Sequence, residues 1–126
     1  MPRASAGRAV QRPVGLSHLR VTLSENFYLG PGRADLMELI AETGSIAAAG
    51  KRMGMSYKRA WSLVQALNDG FGATLVEASR GGAAQGGATL TATGAEVLRR
   101  YRHMQAATSA AIAGDVSALL DMAVKK

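Results

Sequence analysis

A glycine-rich stretch at residues 80–91, RGGAAQGGATLT, contains the residues whose types and spacing most suggest a functional site. Arg80 precedes two glycine pairs, and Gln85 lies between them. Such a stretch suits a flexible linker, a loop that cradles phosphate, or the tip of a β-hairpin. The phosphate loops of nucleotide hydrolases end in Gly-Lys followed by Ser or Thr, and this stretch lacks that ending. Nucleotide hydrolysis is therefore not predicted, and the flanking elements must decide between linker and hairpin.

The rest of the chain offers no catalytic constellation. None of the 126 residues is cysteine, which excludes disulfides, thiolate metal sites and cysteine nucleophiles. The two histidines, His18 and His103, lie far apart and lack acidic partners at metal-ligand spacing. The sequence also shows neither paired carboxylates nor a nucleophile beside a base. We therefore predict that the protein is not an enzyme and needs no metal or other cofactor.

The charge of the chain points to a polyanionic partner. The formal net charge is +6, which favours nucleic acid first and an anionic membrane surface second. No apolar run reaches the roughly 18 residues that a membrane span needs. The amino-terminal residues are rich in arginine and lack the apolar segment of a secretory signal. These features predict a cytoplasmic protein without a membrane partner.

Three helices are predicted upstream of the glycine-rich stretch. The first carries an apolar stripe that begins at Leu36, and it ends before Gly44. Ser45 caps a second, short helix, IAAAGKRM, which ends at Gly54. Ser56 caps the third helix, YKRAWSLVQALNDGF. Two helices joined by so tight a turn, with small residues on the first, indicate a helix-turn-helix.

The third helix has one apolar and one polar face. At 100° per residue the apolar face collects Tyr57, Ala60, Trp61, Val64, Leu67 and Phe71. The opposite face carries Lys58, Ser62, Gln65 and Asp69, with Arg59 on its flank. We predict that the apolar face, including Trp61, packs against the core. The polar face is then free to enter the major groove of DNA, as the second helix of this motif does.

Short strands are predicted at residues 19–23, 74–79 and 88–90. The last two flank the glycine-rich stretch and make it the tip of a hairpin, or wing. This hairpin is expected to pair with the strand at residues 19–23, because one short strand cannot stand alone. A long helix capped by Thr91 follows, and Gly114 is expected to break or kink it.

The predicted fold class is mainly α with a small β-sheet, a winged helix-turn-helix with a long carboxy-terminal helix. Residues 1–17 are predicted to form a disordered basic arm. Residues 18–113 would form the DNA-binding domain with its dimerisation helix, and residues 114–126 a short helical tail.

Residues 43–68, TGSIAAAGKRMGMSYKRAWSLVQALN, strongly resemble the DNA-binding domain of ModE, the bacterial molybdate-responsive transcriptional regulator. The matching features are GSI before the short helix, GMSYKRAW across the turn, and RGG…GGATLTATG in the wing. The resemblance covers roughly residues 19–110. The SYKxAW element separates the chain from LysR-type regulators, which share LTATG at residues 90–94. ModE proteins carry oxyanion-binding modules after this domain, and with 126 residues we expect this chain to lack its own molybdate-binding domain.

The resemblance implies a dimeric winged-helix DNA binder. It implies that Ser56, Lys58 and Arg59 enter the major groove with nearby polar residues, while the wing lies at a flanking groove or the backbone. Lysine, arginine and amide side chains suit these roles because they bond to guanine, to adenine or to phosphate. The complete predicted DNA-binding set is Lys51, Arg52, Ser56, Tyr57, Lys58, Arg59, Ser62, Gln65, Arg80 and Gln85.

Three functions stay open at this point. The first is a sequence-specific transcriptional regulator that binds double-stranded DNA as a homodimer. The second is a protein-interaction adaptor, working with a separate sensor protein. The third is a non-specific, nucleoid-type DNA-binding protein, suggested by the charge and the basic arm. The polar face of the third helix favours the first.

Overall fold

A computed structural model describes residues 14–79 and 87–123 of the chain. Four helices and four short strands follow one another in these residues. In chain order they are β1 (Val21–Ser24), β2 (Phe27–Leu29), α1 (Pro31–Thr43), α2 (Ile46–Arg52), α3 (Tyr57–Phe71), β3 (Val76–Ala78), β4 (Ala88–Leu90) and α4 (Ala92–Met122). This order confirms the predicted fold class of a winged helix-turn-helix with a long last helix.

The core forms where α1, α2 and α3 meet. Helix α1 begins at Pro31, whose missing N–H is harmless at a first helical position. It ends at Gly44, which has φ +71° and so adopts the left-handed conformation that glycine permits. Apolar residues from these helices, from strands β2 and β3 and from α4 are buried together. The larger ones are Phe27, Leu29, Leu36, Met37, Ile40, Ile46, Val64, Leu67, Val76 and Tyr101, with Leu75 just before β3.

The predicted pairing of the first strand is wrong. Strand β1 pairs antiparallel with β2, with Val21 opposite Leu29, and these two strands form a sheet of their own. The reason is local: β2 follows β1 after two residues and buries Phe27 and Leu29 in the core. Strand β1 is largely exposed, and it makes its backbone hydrogen bonds within the short hairpin with β2 rather than with the wing.

The wing strands are where the sequence predicts them. Strands β3 and β4 pair antiparallel, with Val76 opposite Leu90 and Ala78 opposite Ala88. The hairpin interpretation of the glycine-rich stretch is thus confirmed at both of its flanks. Residues 80–86, with Arg80 and Gln85, lie outside the described residues, as do residues 1–13 of the predicted arm.

Helix α4 is one uninterrupted helix of 31 residues, so the predicted break at Gly114 is wrong. An exposed glycine costs an interior helical position only about 1 kcal/mol relative to alanine, and alanines surround this one. Near the start of α4, Tyr101 is buried and its hydroxyl donates a hydrogen bond to the carbonyl of Leu19 at 2.6 Å. None of the helices in the described part of the chain is long and apolar enough to cross a membrane.

Candidate nucleic-acid interface

The crossing of α2 and α3 depends on two small residues. A Cβ atom added to Gly50 would lie 2.8 Å from the Cβ of Ala60 and 3.4 Å from the Cγ of Met55. The two helices therefore touch almost backbone to backbone at this point. Gly54, at φ +73°, turns the chain between them. This close crossing fixes the angle at which α3 leaves the core.

The predicted serine caps are confirmed. The Oγ of Ser45 accepts a hydrogen bond from the amide of Ala48 at 3.0 Å, and the Oγ of Ser56 accepts one from the amide of Arg59 at 3.1 Å. These bonds satisfy amides that have no partner within the helix. Ser56 keeps its hydroxyl hydrogen for a further acceptor, such as a phosphate oxygen.

Helix α3 presents its polar face to solvent. Lys58, Arg59, Ser62 and Gln65 are all exposed, whereas Ala60, Val64 and Leu67 on the other side are buried. Trp61 is half-buried and packs against the core, as predicted. The described ion pairs do not include Lys58 or Arg59. Both charges are therefore available to an anion.

The prediction that Tyr57 belongs to the buried face is wrong, because 49% of Tyr57 is exposed. It is the first residue of α3 and lies one turn before Ala60, where the buried part of that face begins. Its ring and hydroxyl are thus accessible beside Lys58 and Arg59. This exposure suits the other prediction for Tyr57, a place at the interface.

The basic end of α2 is also exposed. Lys51 and Arg52 occupy its last turn, where positive charge interacts favourably with the helix dipole. Arg52 pairs with Glu42 at 3.3 Å, but both side chains are more than half exposed. An exposed pair of this kind contributes at most about 1 kcal/mol, so a phosphate can replace the carboxylate.

Asn68 joins α3 to the wing, a role that the sequence interpretation missed. Its Oδ1 accepts hydrogen bonds from the amides of Leu75 at 2.7 Å and Val76 at 3.1 Å, and its Nδ2 donates to the carbonyl of Val76 at 3.1 Å. One side-chain amide thus satisfies three backbone groups of the wing root. The available signal was a lone amide residue beside the apolar stripe, a few residues before a predicted strand.

The second wing strand is attached to α2 and α4. The amide of Ala88 donates to the carbonyl of Gly44 at 2.9 Å, just before α2 begins. The hydroxyl of Thr91 donates to the carbonyl of Thr74 at 2.7 Å and also caps α4 by accepting from Gly94. A Cβ atom on Gly94 would lie only 2.1 Å from the carbonyl oxygen of Leu75, so α4 starts in direct contact with the wing.

The predicted site residues therefore divide into three groups. The predicted residues at the start of α3 and on its polar face are all exposed, and the end of α2 adds two exposed cations. The wing residues Arg80 and Gln85 lie outside the described residues, although the strands on either side of them are attached to the turn between α1 and α2, to α3 and to the start of α4. A positively charged helical face next to a firmly attached hairpin can bind a polyanion with grooves on its surface, such as a nucleic-acid duplex.

Comparisons with known proteins agree on the kind of domain. The family model for bacterial regulatory helix-turn-helix proteins of the LysR family matches residues 34–95. The chain is 44% identical over 78 residues to the molybdenum-pterin-binding protein MopB of Rhodobacter capsulatus, a match that covers 62% of this chain and 29% of MopB. It is 36% identical over 83 residues to the DNA-binding transcriptional dual regulator ModE of Escherichia coli (strain K12), covering 66% of this chain and 32% of ModE.

Solved structures show the same similarity. A crystal structure of a CbnR_DBD–DNA complex has a TM-score of 0.54 and 30% identity, covering 71% of this chain and 95% of that chain. Full-length CbnR complexed with its target DNA has a TM-score of 0.52 and 31% identity, covering 68% of this chain and 27% of that chain. The chain spans about a third of the length of the curated relatives described above.

Proposed function

We propose that this chain, whose residues 34–95 match the DNA-binding helix-turn-helix of the LysR family and whose relatives include ModE, is a sequence-specific transcriptional regulator. The relatives are transcriptional regulators rather than enzymes. The observation that carries the proposal is the exposed polar face of α3, opposite the buried residues Ala60, Val64 and Leu67. This face is the surface that a recognition helix needs in the major groove.

Within this proposal, α3 reads bases. Lys58 and Arg59 suit guanine or phosphate, and Gln65 suits the N6 and N7 edge of adenine. Ser62, between them on the same face, can bond to either kind of base. Ser56 and Tyr57 lie at the start of the helix, where free amides and hydroxyls suit a backbone phosphate.

The flanking contacts position the helix. Lys51 and Arg52 are proposed to bind phosphates on one side of the groove. Arg80 and Gln85 are proposed to contact the backbone or the minor groove from the wing. Contacts to phosphate fix the register of a protein on the duplex, whereas contacts to base edges give the specificity.

We propose that the protein binds as a homodimer in the cytoplasm. The distal half of α4 exposes Leu119, Leu120 and Met122, with 62%, 48% and 77% of their surfaces accessible. Exposed apolar residues on a long helix suit a second copy of the same helix. Two α3 helices would then lie about 34–36 Å apart, or a multiple of that distance, on a pseudo-palindromic site.

The two alternative functions make different predictions about α3. A protein-binding adaptor, docking a separate sensor, needs an apolar patch on this face, and Tyr57 is its one exposed large apolar residue among the described residues. A nucleoid-type protein needs charge but not the amide and hydroxyl of Gln65 and Ser62.

A gel-shift series tests the proposal. The full chain is titrated against its own upstream region and against an unrelated duplex, at several salt concentrations. A specific regulator retains a preferred site as salt rises, and its affinity for that site exceeds non-specific affinity by about 10³-fold or more. Equal binding to both duplexes with a steep salt slope would establish the nucleoid-type alternative. Absence of binding at low salt would remove both DNA-binding functions.

A further inference from the structure

A basic cavity lies beside the predicted interface, and Arg59 is the one residue of its lining that the contacts proposed above already use. It has a volume of about 220 Å³ and opens between the start of α1, the end of β2 and the beginning of α3. Arg33, Arg59 and His18 line it, and Met55 and Leu63 form part of its apolar wall. Among the described residues, neither Arg33 nor Arg59 takes part in an ion pair.

Arg33 is held in place without a carboxylate. Its Nη1 donates to the carbonyl of Tyr28 at 3.1 Å, and its guanidinium carbon lies 4.3 Å from the centre of the Tyr28 ring. Arg20 stacks on the same ring at 3.7 Å. Ring stacking and a carbonyl fix the position of a guanidinium but leave its full positive charge uncancelled. The cavity wall therefore carries an oriented charge that suits an anion with several acceptor oxygens.

The start of α1 adds to this positive potential. Gly30 precedes the helix and no side chain caps it, while the first intrahelical bond is made by the amide of Ala34. The amides of Gly32 and Arg33 therefore have no acceptor within the helix. Gly30 and Gly32 both line the cavity. Uncapped amides at the positive end of a helix dipole favour a bound oxyanion.

The cavity adjoins the proposed groove-binding face through Arg59. On the helical wheel Arg59 lies between the face of Lys58 and Ser62 and the buried face, on the side where Leu63 also lines the cavity. A duplex whose major groove holds α3 must pass its sugar–phosphate backbone along one flank of that helix. Arg59 is exposed at that flank and also reaches the cavity.

We propose that this cavity binds one phosphate group of the DNA backbone that flanks the groove occupied by α3. Arg33 and Arg59 are its charged ligands, and His18 and the first amides of α1 are its other donors. The site rests on the proposed DNA-binding function and deepens it by assigning a phosphate clamp to α1. It makes the start of α1, rather than only α2, α3 and the wing, part of the interface.

The test uses two variants of the full chain and a duplex that the protein has selected from a random pool. Arg33→Gln removes one charge from the cavity. Gly32→Asp adds a negative charge at a position where a Cβ meets nothing within 4 Å, and acidic residues suit the first turn of a helix. Gly32→Asp therefore tests the cavity even if Arg33→Gln fails to fold. Ala41→Asp, an exposed position at the other end of α1, is the matched control.

Both variants should weaken binding to every sequence to a similar extent, and Arg33→Gln should make the slope of log K against log salt less steep by about 0.9. A series of duplexes, each with one neutral methylphosphonate, should reveal one position whose neutralisation weakens the wild type but not Arg33→Gln. Ala41→Asp should keep both the slope and that sensitivity. Unchanged binding by folded Arg33→Gln and Gly32→Asp, in a wild type that binds its site, would overturn the clamp alone.

Inorganic phosphate distinguishes the two sources of the anion. At constant ionic strength it is titrated into the DNA-free protein while amide shifts near Gly32 are followed by NMR. If the amide shifts saturate at phosphate concentrations that also abolish DNA binding, the cavity is a site for a free anion and the DNA clamp is wrong. Weak, unsaturated shifts together with the methylphosphonate result support the clamp. A wild type that binds no DNA would overturn the clamp together with the proposed function.

Discussion

Gly50 and Ala60 lie against each other where the two helices of the helix-turn-helix cross, so closely that a Cβ on Gly50 would lie 2.8 Å from that of Ala60. Real Cβ atoms do not approach each other so closely, and the Cβ of buried Ala60 is attached directly to the backbone, so it cannot move aside as the end of a flexible side chain can. The contact therefore sets how α3 projects from the core. It makes Gly50 a structural requirement of the interface although Gly50 is not itself one of the proposed DNA contacts.

Gly50→Ala should destabilise the domain by about 1–3 kcal/mol, because the added methyl group must push α2 and α3 apart. Urea unfolding followed by circular dichroism measures this loss. Gly114→Ala is the matched control, since a Cβ there meets nothing within 4 Å. It should stabilise the protein by about 0.5–1 kcal/mol through helix propensity. Equal stabilities for the two alanine variants would contradict the close crossing.

Asn68→Leu should detach the wing from α3. The substitution leaves the amides of Leu75 and Val76 and the carbonyl of Val76 without their present partner, which costs about 1–3 kcal/mol. Amide hydrogen exchange should become faster at Leu75 and Val76, while exchange in α1 stays slow. Asn68→Asp should have a smaller effect, since it keeps the acceptor and loses only the donor. Unchanged exchange at Leu75 would show that the strand pairing alone holds the wing.

Local signals in the sequence predicted where the helices start, although the glycine at position 114 wrongly predicted a break in α4. Non-local contacts account for the strand pairing that the sequence missed. Ser45, Ser56 and Thr91 marked helix starts because a cap acts within three residues of itself. The partner of β1 was predicted wrongly, because pairing depends on which strand buries its side chains and not on alternation within β1.

The candidate site shows the same division. Periodicity identified the exposed face of α3, since that face follows from 100° per residue along one helix. Periodicity wrongly placed Tyr57 on the buried face, because a helical wheel does not show where along the helix axis the core ends. The cavity at Arg33 lies between α1, β2 and α3, and no residue spacing in the sequence indicates that these three elements come together.

Ionisation of Tyr101 should make the free energy of unfolding of the protein depend on pH. Burial raises the pKa of Tyr101 above its ordinary value of 10.0, and Asp35 adds to this, while Arg102 opposes it. A raised pKa in the folded state means that the stabilisation is complete below pH 10 and is lost as pH rises through the folded pKa. Tyr101→Phe also removes the hydrogen bond to Leu19, at a cost of about 0.5–1.5 kcal/mol near neutral pH.

The advantage of the wild type over Tyr101→Phe should therefore shrink as the pH is raised above 10. Urea unfolding of both proteins at matched concentration, from neutral to strongly alkaline pH, measures the difference directly. Subtracting the two curves cancels groups that titrate in both proteins. A difference that stays constant across this range would mean that Tyr101 ionises equally in the folded and unfolded chains.

Gln65 and Lys51 should separate base reading from phosphate binding. Gln65 is exposed on the polar face of α3 and has an amide that can bond to one base edge, whereas Lys51 has only a charge at the end of α2. Gln65→Ala should lose about 1–3 kcal/mol of discrimination at one base pair and leave the salt slope unchanged. Lys51→Ala should weaken binding to all sequences alike and make the slope of log K against log salt less steep by about 0.9.

Fluorescence anisotropy against the selected duplex and each of its single-base-pair variants measures both effects, with Thr22→Ala on exposed β1 as the control. If Gln65→Ala instead weakened every duplex equally, α3 would hold the backbone rather than read the sequence, and the specific-regulator proposal would lose its main support.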